Sequence, residues 1–190
     1  MKQTTKISAV ALIVWSCAQL FMVDAHAACD GNIKRSTPTT DFKFLAHGAV
    51  VRHQKTSLDW QRCPAGMTFI AGTAADHSRD TCGGTASTFT LEGARQLQIK
   101  TNAGTGRNDA TDWRLPTIEE LASIVEDACQ IPAINTVVFP DTPVMWFWAA
   151  SPKALPADSG KAWGIGFGAG GYYIGRNDNG AVRLVRGARR

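Results

Sequence analysis

Pro116-Thr117-Ile118-Glu119-Glu120-Leu121-Ala122-Ser123-Ile124-Val125 is the most sharply specified stretch of this 190-residue chain. Thr117 and Glu120 form a capping box: the threonine oxygen takes a backbone N–H of the first turn, and the glutamate reaches back to the cap. Ile118, Leu121, Ala122 and Val125 recur at i, i+3, i+4 and i+7, while Glu119, Ser123, Glu126 and Asp127 fall largely on the other side. One apolar face therefore turns to a core. A weaker helix lies upstream. Thr88 or Thr90 opens it, Leu91, Ala94 and Leu97 follow near helical period, and Asn102-Ala103-Gly104 stops it. Gly93 inside that run weakens it by about 1 kcal/mol.

Working outward, the flanks read as short strands. Val50-Val51-Arg52-His53 and Ser57-Leu58-Asp59-Trp60 are linked by a polar turn at Gln54 to Thr56, and Met67-Thr68-Phe69-Ile70 is a third candidate. Past the helices, Val144 to Ala149 reads as a buried strand with Trp146 and Trp148 on one face. Ser151 to Lys161 is a loop, Ala162 to Phe167 alternates small with large residues, and Tyr172-Tyr173-Ile174 resumes a strand. Arg176-Asn177-Asp178-Asn179-Gly180 signals a turn, after which Ala181 to Val185 closes the sheet with Val182 and Leu184 on one face and Arg183 opposite. Strand–helix–strand alternation is missing, so the expected class is α+β, a small antiparallel sheet flanked by two helices.

The first 27 residues read as a signal peptide. Lys2 and Lys6 precede an apolar run from Ile7 to Val23, and Ala25-His26-Ala27 has the small residues of a cleavage site. The run is short for a membrane span. His26 sits where lipidation of Cys29 would want an aliphatic residue. Cleavage would leave residues 28–190 as one domain, with no membrane span. It would remove Lys2, Lys6 and Asp24, leaving 18 basic against 15 acidic side chains. That balance suits polyanions or plain solubility and is no nucleic-acid footprint.

Cys17 leaves with the leader, so Cys29, Cys63, Cys82 and Cys129 remain. An even set in an oxidising compartment implies two disulfides with three possible connectivities. Spacing favours Cys63–Cys82, clipping the polar loop Gly72 to Asp80, and leaves Cys29–Cys129. The spacings fit no zinc pattern.

Catalytic chemistry finds little support. Asp76-His77-Ser78-Arg79-Asp80 holds acid, base and nucleophile types, but a triad is assembled from distant segments. His47 and His53 read as strand or loop residues. Gly164 to Gly171 does not open a helix, so it is no phosphate cradle. Asn177, Asp178 and Asn179 bring one carboxylate, a poor calcium set that an Asx-rich turn explains. Neither a metal nor a cofactor is expected, and the chain reads as a non-enzyme.

Several blocks carry a resemblance. They are Leu58-Asp59-Trp60-Gln61-Arg62-Cys63, Thr111-Asp112-Trp113-Arg114-Leu115-Pro116-Thr117-Ile118-Glu119-Glu120-Leu121, Asn135-Thr136-Val137-Val138-Phe139-Pro140-Asp141-Thr142-Pro143, Trp146-Phe147-Trp148-Ala149-Ala150-Ser151, Ala162-Trp163-Gly164 and Val182-Arg183-Leu184-Val185-Arg186-Gly187. In this order, with the initial Cys29, they resemble the bacterial DUF1566 family, also called the Lcl C-terminal domain after a collagen-like adhesin. The resemblance implies a C-type-lectin-like, formylglycine-generating-enzyme-like fold whose N- and C-terminal strands meet in a twisted sheet. It also implies a periplasmic or cell-surface location and, from the adhesin, binding of sulfated polysaccharides. The collagen-like Gly-X-Y repeats are missing here.

Trp113 is expected across the start of the second helix, and Arg114 on backbone carbonyls or on Asp112 or Glu119. Trp146, Trp148 and Trp163 read as core-building. The candidate binding face is Trp163, Tyr172, Tyr173, Arg176, Asn177 and Asp178, where guanidinium suits sulfate or carboxylate and rings suit sugar faces. A second candidate is the basic tail Arg183, Arg186, Arg189 and Arg190. The expected partner is a glycan or other polyanion, or alternatively an envelope protein.

Overall fold

A computed structural model describes residues 27–73, 75–152, 162–175 and 178–187, with backbone alone for 152 and 173–175. Residues 1–26 of the expected signal peptide, most of the 151–161 loop, Arg176, Asn177, Arg189 and Arg190 lie outside the described residues. The described strands are β1 (Ala28–Cys29), β2 (Phe42–Leu45), β3 (Val50–His53), β4 (Leu58–Gln61), β5 (Thr68–Ile70), β6 (Thr81–Gly83) and β7 (Thr88–Phe89). Then come α1 (Leu91–Thr101), α2 (Ile118–Ala122), β8 (Cys129–Gln130), β9 (Trp146–Pro152), β10 (Ala162–Gly166), β11 (Gly171–Gly175), β12 (Gly180–Ala181) and β13 (Val185–Arg186). Two small sheets, of order β2-β3-β4-β13 and β11-β10-β9-β12-β7, are accompanied by two separate two-stranded pairs, β1-β8 and β5-β6. With two helices and two disulfides this is an α+β domain. Its C-terminal strand β13 pairs antiparallel with β4, while the N-terminal strand β1 pairs with β8.

Local chemistry accounts for the helices. Thr90 caps α1 by accepting from the Gly93 N–H, and both arms of the Thr117–Glu120 capping box are made. The apolar pattern through Val125 had predicted a longer second helix. It ends at Ala122, with Ser123 as C-cap and its hydroxyl donating to the Glu120 carbonyl at 2.7 Å. A serine oxygen that takes up a last-turn carbonyl competes with continuing the helix.

The core has two lobes. One gathers Val51, Leu58, Trp60, Leu121, Ile124, Phe139, Phe147, Ile165 and Phe167 beneath α2. The other gathers Val50, Ala94, Trp113, Leu115, Trp148, Val182 and Leu184 beneath α1. Trp113 therefore belongs to the α1 lobe, not to the start of α2, and its indole N–H donates to the Arg107 carbonyl at 2.8 Å. Trp146 and Trp148 share a face as expected, edge to face at 4.1 Å. Gly180 lets the Trp146 ring lie against its backbone, since a Cβ there would stand 2.7 Å from ring carbons.

The C-terminal segment departs from expectation. Residues 181–185 are not one closing strand: Ala181 pairs in the five-stranded sheet and Val185 in the four-stranded one. Ala181 also bridges Phe147 in parallel, so the larger sheet is mixed. Between the sheets, the Val182 and Leu184 carbonyls accept from Ala65 and Gln61 N–H groups. Residues 181 to 185 are all buried. Alternation carries no outward face where chain is enclosed on both sides.

Disulfides Cys29–Cys129 and Cys63–Cys82 are both formed, at sequence separations of 100 and 19. Each closes a loop in the unfolded chain and stabilises by about 2–4 kcal/mol. The first is tied into the β1–β8 pair, where Cys29 lies opposite Cys129. The second joins β6 to the segment after β4.

Candidate functional site

The predicted aromatic face is assembled in part. On β10 and β11, Ile165 lies opposite Tyr172, and Trp163 opposite Ile174. That register makes Trp163 and Tyr172 diagonal neighbours on one face, within reach across a ladder. Their rings meet edge-on at 6.3 Å. Trp163 is half-buried against the α2 lobe, while Tyr172 is 66% exposed. β11 ends its sheet, with nothing among the described residues paired to its outer edge. Tyr173 lies in β11 opposite Gly164, its side chain outside the described residues, as are Arg176 and Asn177. Asp178 is exposed.

Arg183 does not belong to a binding face. It is 0% exposed. Its guanidinium donates to the Gln61 carbonyl at 2.9 Å, the Arg62 carbonyl, and Thr142 Oγ1 at 2.7 Å. It packs over Phe139 at 4.8 Å. Burial, with the Arg62 charge beside it, pushes its pKa down to about 9. The side chain turned inward because residues 181–185 have no solvent face. Arg186 does reach the surface, but it pairs with Asp59 at 3.1 Å and Asp112 at 3.5 Å.

Arg62, quoted in the sequence only as part of a motif, is the hub of the β4 side. It donates to Gly48 and Val138 carbonyls at 2.7 Å and to Val137 at 2.8 Å, and pairs with Asp80. Phe44 and Phe69 flank it at 4.7 and 5.1 Å. Burial opposes ionisation of Asp80, but hydrogen bonds from Arg62, the Gly72 N–H and His77 outweigh it and hold the carboxyl below its usual range. His77 meets Asp80 through Nδ1 at 2.8 Å and stacks on Phe44 at 4.0 Å. The Ser78 hydroxyl is turned to Asp76 at 2.7 Å, not to His77. The Asp76–Asp80 stretch thus anchors the cystine loop to Arg62. Arg114 donates to the Leu115 and Gly187 carbonyls at 3.3 and 3.2 Å, as expected of it, and makes a two-pronged pair with Glu120 at 2.6 and 2.7 Å instead of one with Asp112 or Glu119. The capping box already bends that carboxylate back toward residue 117.

Beside β4 lie two cavities of about 250 and 220 Å3, both lined by Gln61 and Arg107. Sequence reasoning did not single these residues out. The available signal was Gln61 sharing a strand face with Asp59, and the Gly106-Arg107-Asn108-Asp109 turn.

Among the described residues no three His, Cys, Asp or Glu side chains gather to hold a metal ion, and no helix is long and apolar enough to cross a membrane. A disulfide-stapled α+β domain with an exposed tyrosine on the terminal strand of a sheet defines a class of scaffold, not an activity. Its family is more specific: the model of the Lcl C-terminal domain matches residues 49–186, and the chain belongs to that family. No curated protein matches the chain.

Proposed function

We propose that this protein is an exported, non-enzymatic binding module, built on a C-type-lectin-like scaffold, that holds glycans or other anionic envelope polymers. The observation that carries the reading is Tyr172, 66% exposed on the terminal strand of its sheet and set against Trp163. A rigid ring presented from a strand offers a stacking surface at little entropic cost. The meeting of β13 with β4 supports the lectin-like scaffold. Export is supported by the leader-like residues 1–27 and by the two disulfides, which persist in oxidising compartments. The chain's surplus of basic side chains favours anionic polymers.

Retention of the mature chain on heparin, dextran sulfate and neutral dextran across a salt series tests this. Retention on the sulfated resins should fade as salt rises. Tyr172→Ala should weaken it about five- to tenfold, the loss of one aromatic contact of about 1 kcal/mol. Retention unchanged in Tyr172→Ala defeats the aromatic edge. A second reading, a protein partner, is favoured by the outer edge of β11, unpaired among the described residues, which could accept an added strand. Binding of that kind would persist at high salt.

A further inference from the structure

We infer that the paired cavities at Gln61 and Arg107 form a subsite for one oxyanion, a carboxylate or a sulfate ester, on a ligand that also presents apolar surface. Gln61 is 3% exposed, and its Nε2 has no hydrogen-bond partner. Its Oε1 accepts from Arg107 Nη1 at 3.3 Å. A guanidinium can only donate, so this contact settles which end of the amide faces it. What remains is a buried NH2 group with both donors unused. A buried donor without an acceptor carries its full desolvation penalty uncompensated, so such groups call for a partner.

The surroundings define that partner. Both cavities share Gln61 and Arg107; Lys100, at the end of α1, lines the second. No Asp or Glu lines either cavity among the described residues. Amide N–H, guanidinium and ammonium are all donors, two of them cationic, and what they share is an acceptor-only anion. Met67 and Phe69 wall one cavity and Leu97 and Leu184 the other, giving apolar surface for the rest of the ligand.

The donors are held in place. The Gln61 N–H donates to Leu184 and its carbonyl accepts from Arg183, so the strand cannot slip. Arg107 and Ala110 exchange both backbone hydrogen bonds around Asn108 and Asp109, whose φ values are +53° and +56°. That two-residue turn suits asparagine and aspartate, which tolerate the left-handed region. The Trp113 indole pins the Arg107 carbonyl from behind. The subsite lies on β4, in the other sheet from Tyr172, and does not depend on the aromatic edge.

The test is titration of the isotope-labelled mature chain with sodium glucuronate, sodium methyl sulfate and neutral methyl glucoside, followed by NMR. The Gln61 side-chain amide and the Arg107 Nε–H are the reporters. One or both anions should give a saturable shift at Gln61, the two salts telling carboxylate from sulfate, and methyl glucoside none. Arg107→Gln, an exposed change that spares the fold, should weaken anion binding about tenfold or more. Gln61→Glu, which turns the donor into a second acceptor, should abolish it. A Gln61 response that persists in Tyr172→Ala supports the subsite whatever becomes of the proposed glycan edge. A response confined to Tyr172, an equal response to methyl glucoside, no saturable shift, or full binding in Arg107→Gln overturns it.

Discussion

Two guanidiniums fully enclosed within one small domain are treated differently. Arg62 faces a buried carboxylate, Asp80, and three backbone carbonyls, between two phenylalanine rings. Arg183 has carbonyls, one threonine hydroxyl and two rings, but no carboxylate among the described residues; its Nε has no partner. The first region is a compensated ion pair and the second a bare cation solvated by dipoles and π faces. Removing a buried charge should therefore be destabilising in both places, but for different reasons and by different amounts. At Arg62 it strands an anion. At Arg183 it leaves neutral acceptors behind.

Breaking the compensated region should have the largest effect. Arg62→Met leaves Asp80 buried and unpaired and should destabilise by about 3–5 kcal/mol in urea unfolding. Asp80→Asn should come close to it at neutral pH, because Arg62 then lacks its counter-charge. That gap should narrow in acid. The folded Asp80 carboxyl is held below its ordinary value, so its contribution is complete above that value and is lost as pH falls through the depressed one. Urea midpoints of wild type and Asp80→Asn should therefore converge below about pH 4. A constant gap would mean that the pair contributes through packing alone.

Arg183→Met sharpens the contrast. It leaves three neutral acceptors unsatisfied but relieves a desolvated cation, so the loss should be about 1–3 kcal/mol, smaller than for Arg62→Met. Its gap should not close in acid in the way the Asp80 gap does, because no carboxylate faces this guanidinium. A loss matching that of Arg62→Met would erase the distinction. Smallest of all should be the stability change in Tyr172→Ala, within about 0.5 kcal/mol, since an exposed edge ring contributes little to folding. The same variant should still weaken polymer retention.

The parts legible in the sequence were those whose causes are local. Thr117 and Glu120 announced their helix, Thr90 its own, and the Trp146/Trp148 spacing a shared strand face, because caps and periodicity act within a few residues. Cysteine parity and spacing anticipated both disulfides. Trp163 and Tyr172, two residues of the aromatic face, stand edge to face on adjacent strands. The blocks at residues 58–63, 111–121, 135–143, 146–151, 162–164 and 182–187 together indicated the family.

Tertiary structure alone decided the rest. Residues 181–185 divide between two sheets, and Arg183 turns inward, because both faces of that segment meet other chain; a period-two pattern presumes one wet face. Arg62 finding Asp80 across 18 positions, and Gln61 finding Arg107 across 46, depend on how loops close over β4. Sequence spacing does not encode those approaches. Local chemistry chose the elements and their staples, while the burial of polar side chains was settled by which surfaces packing removed from water.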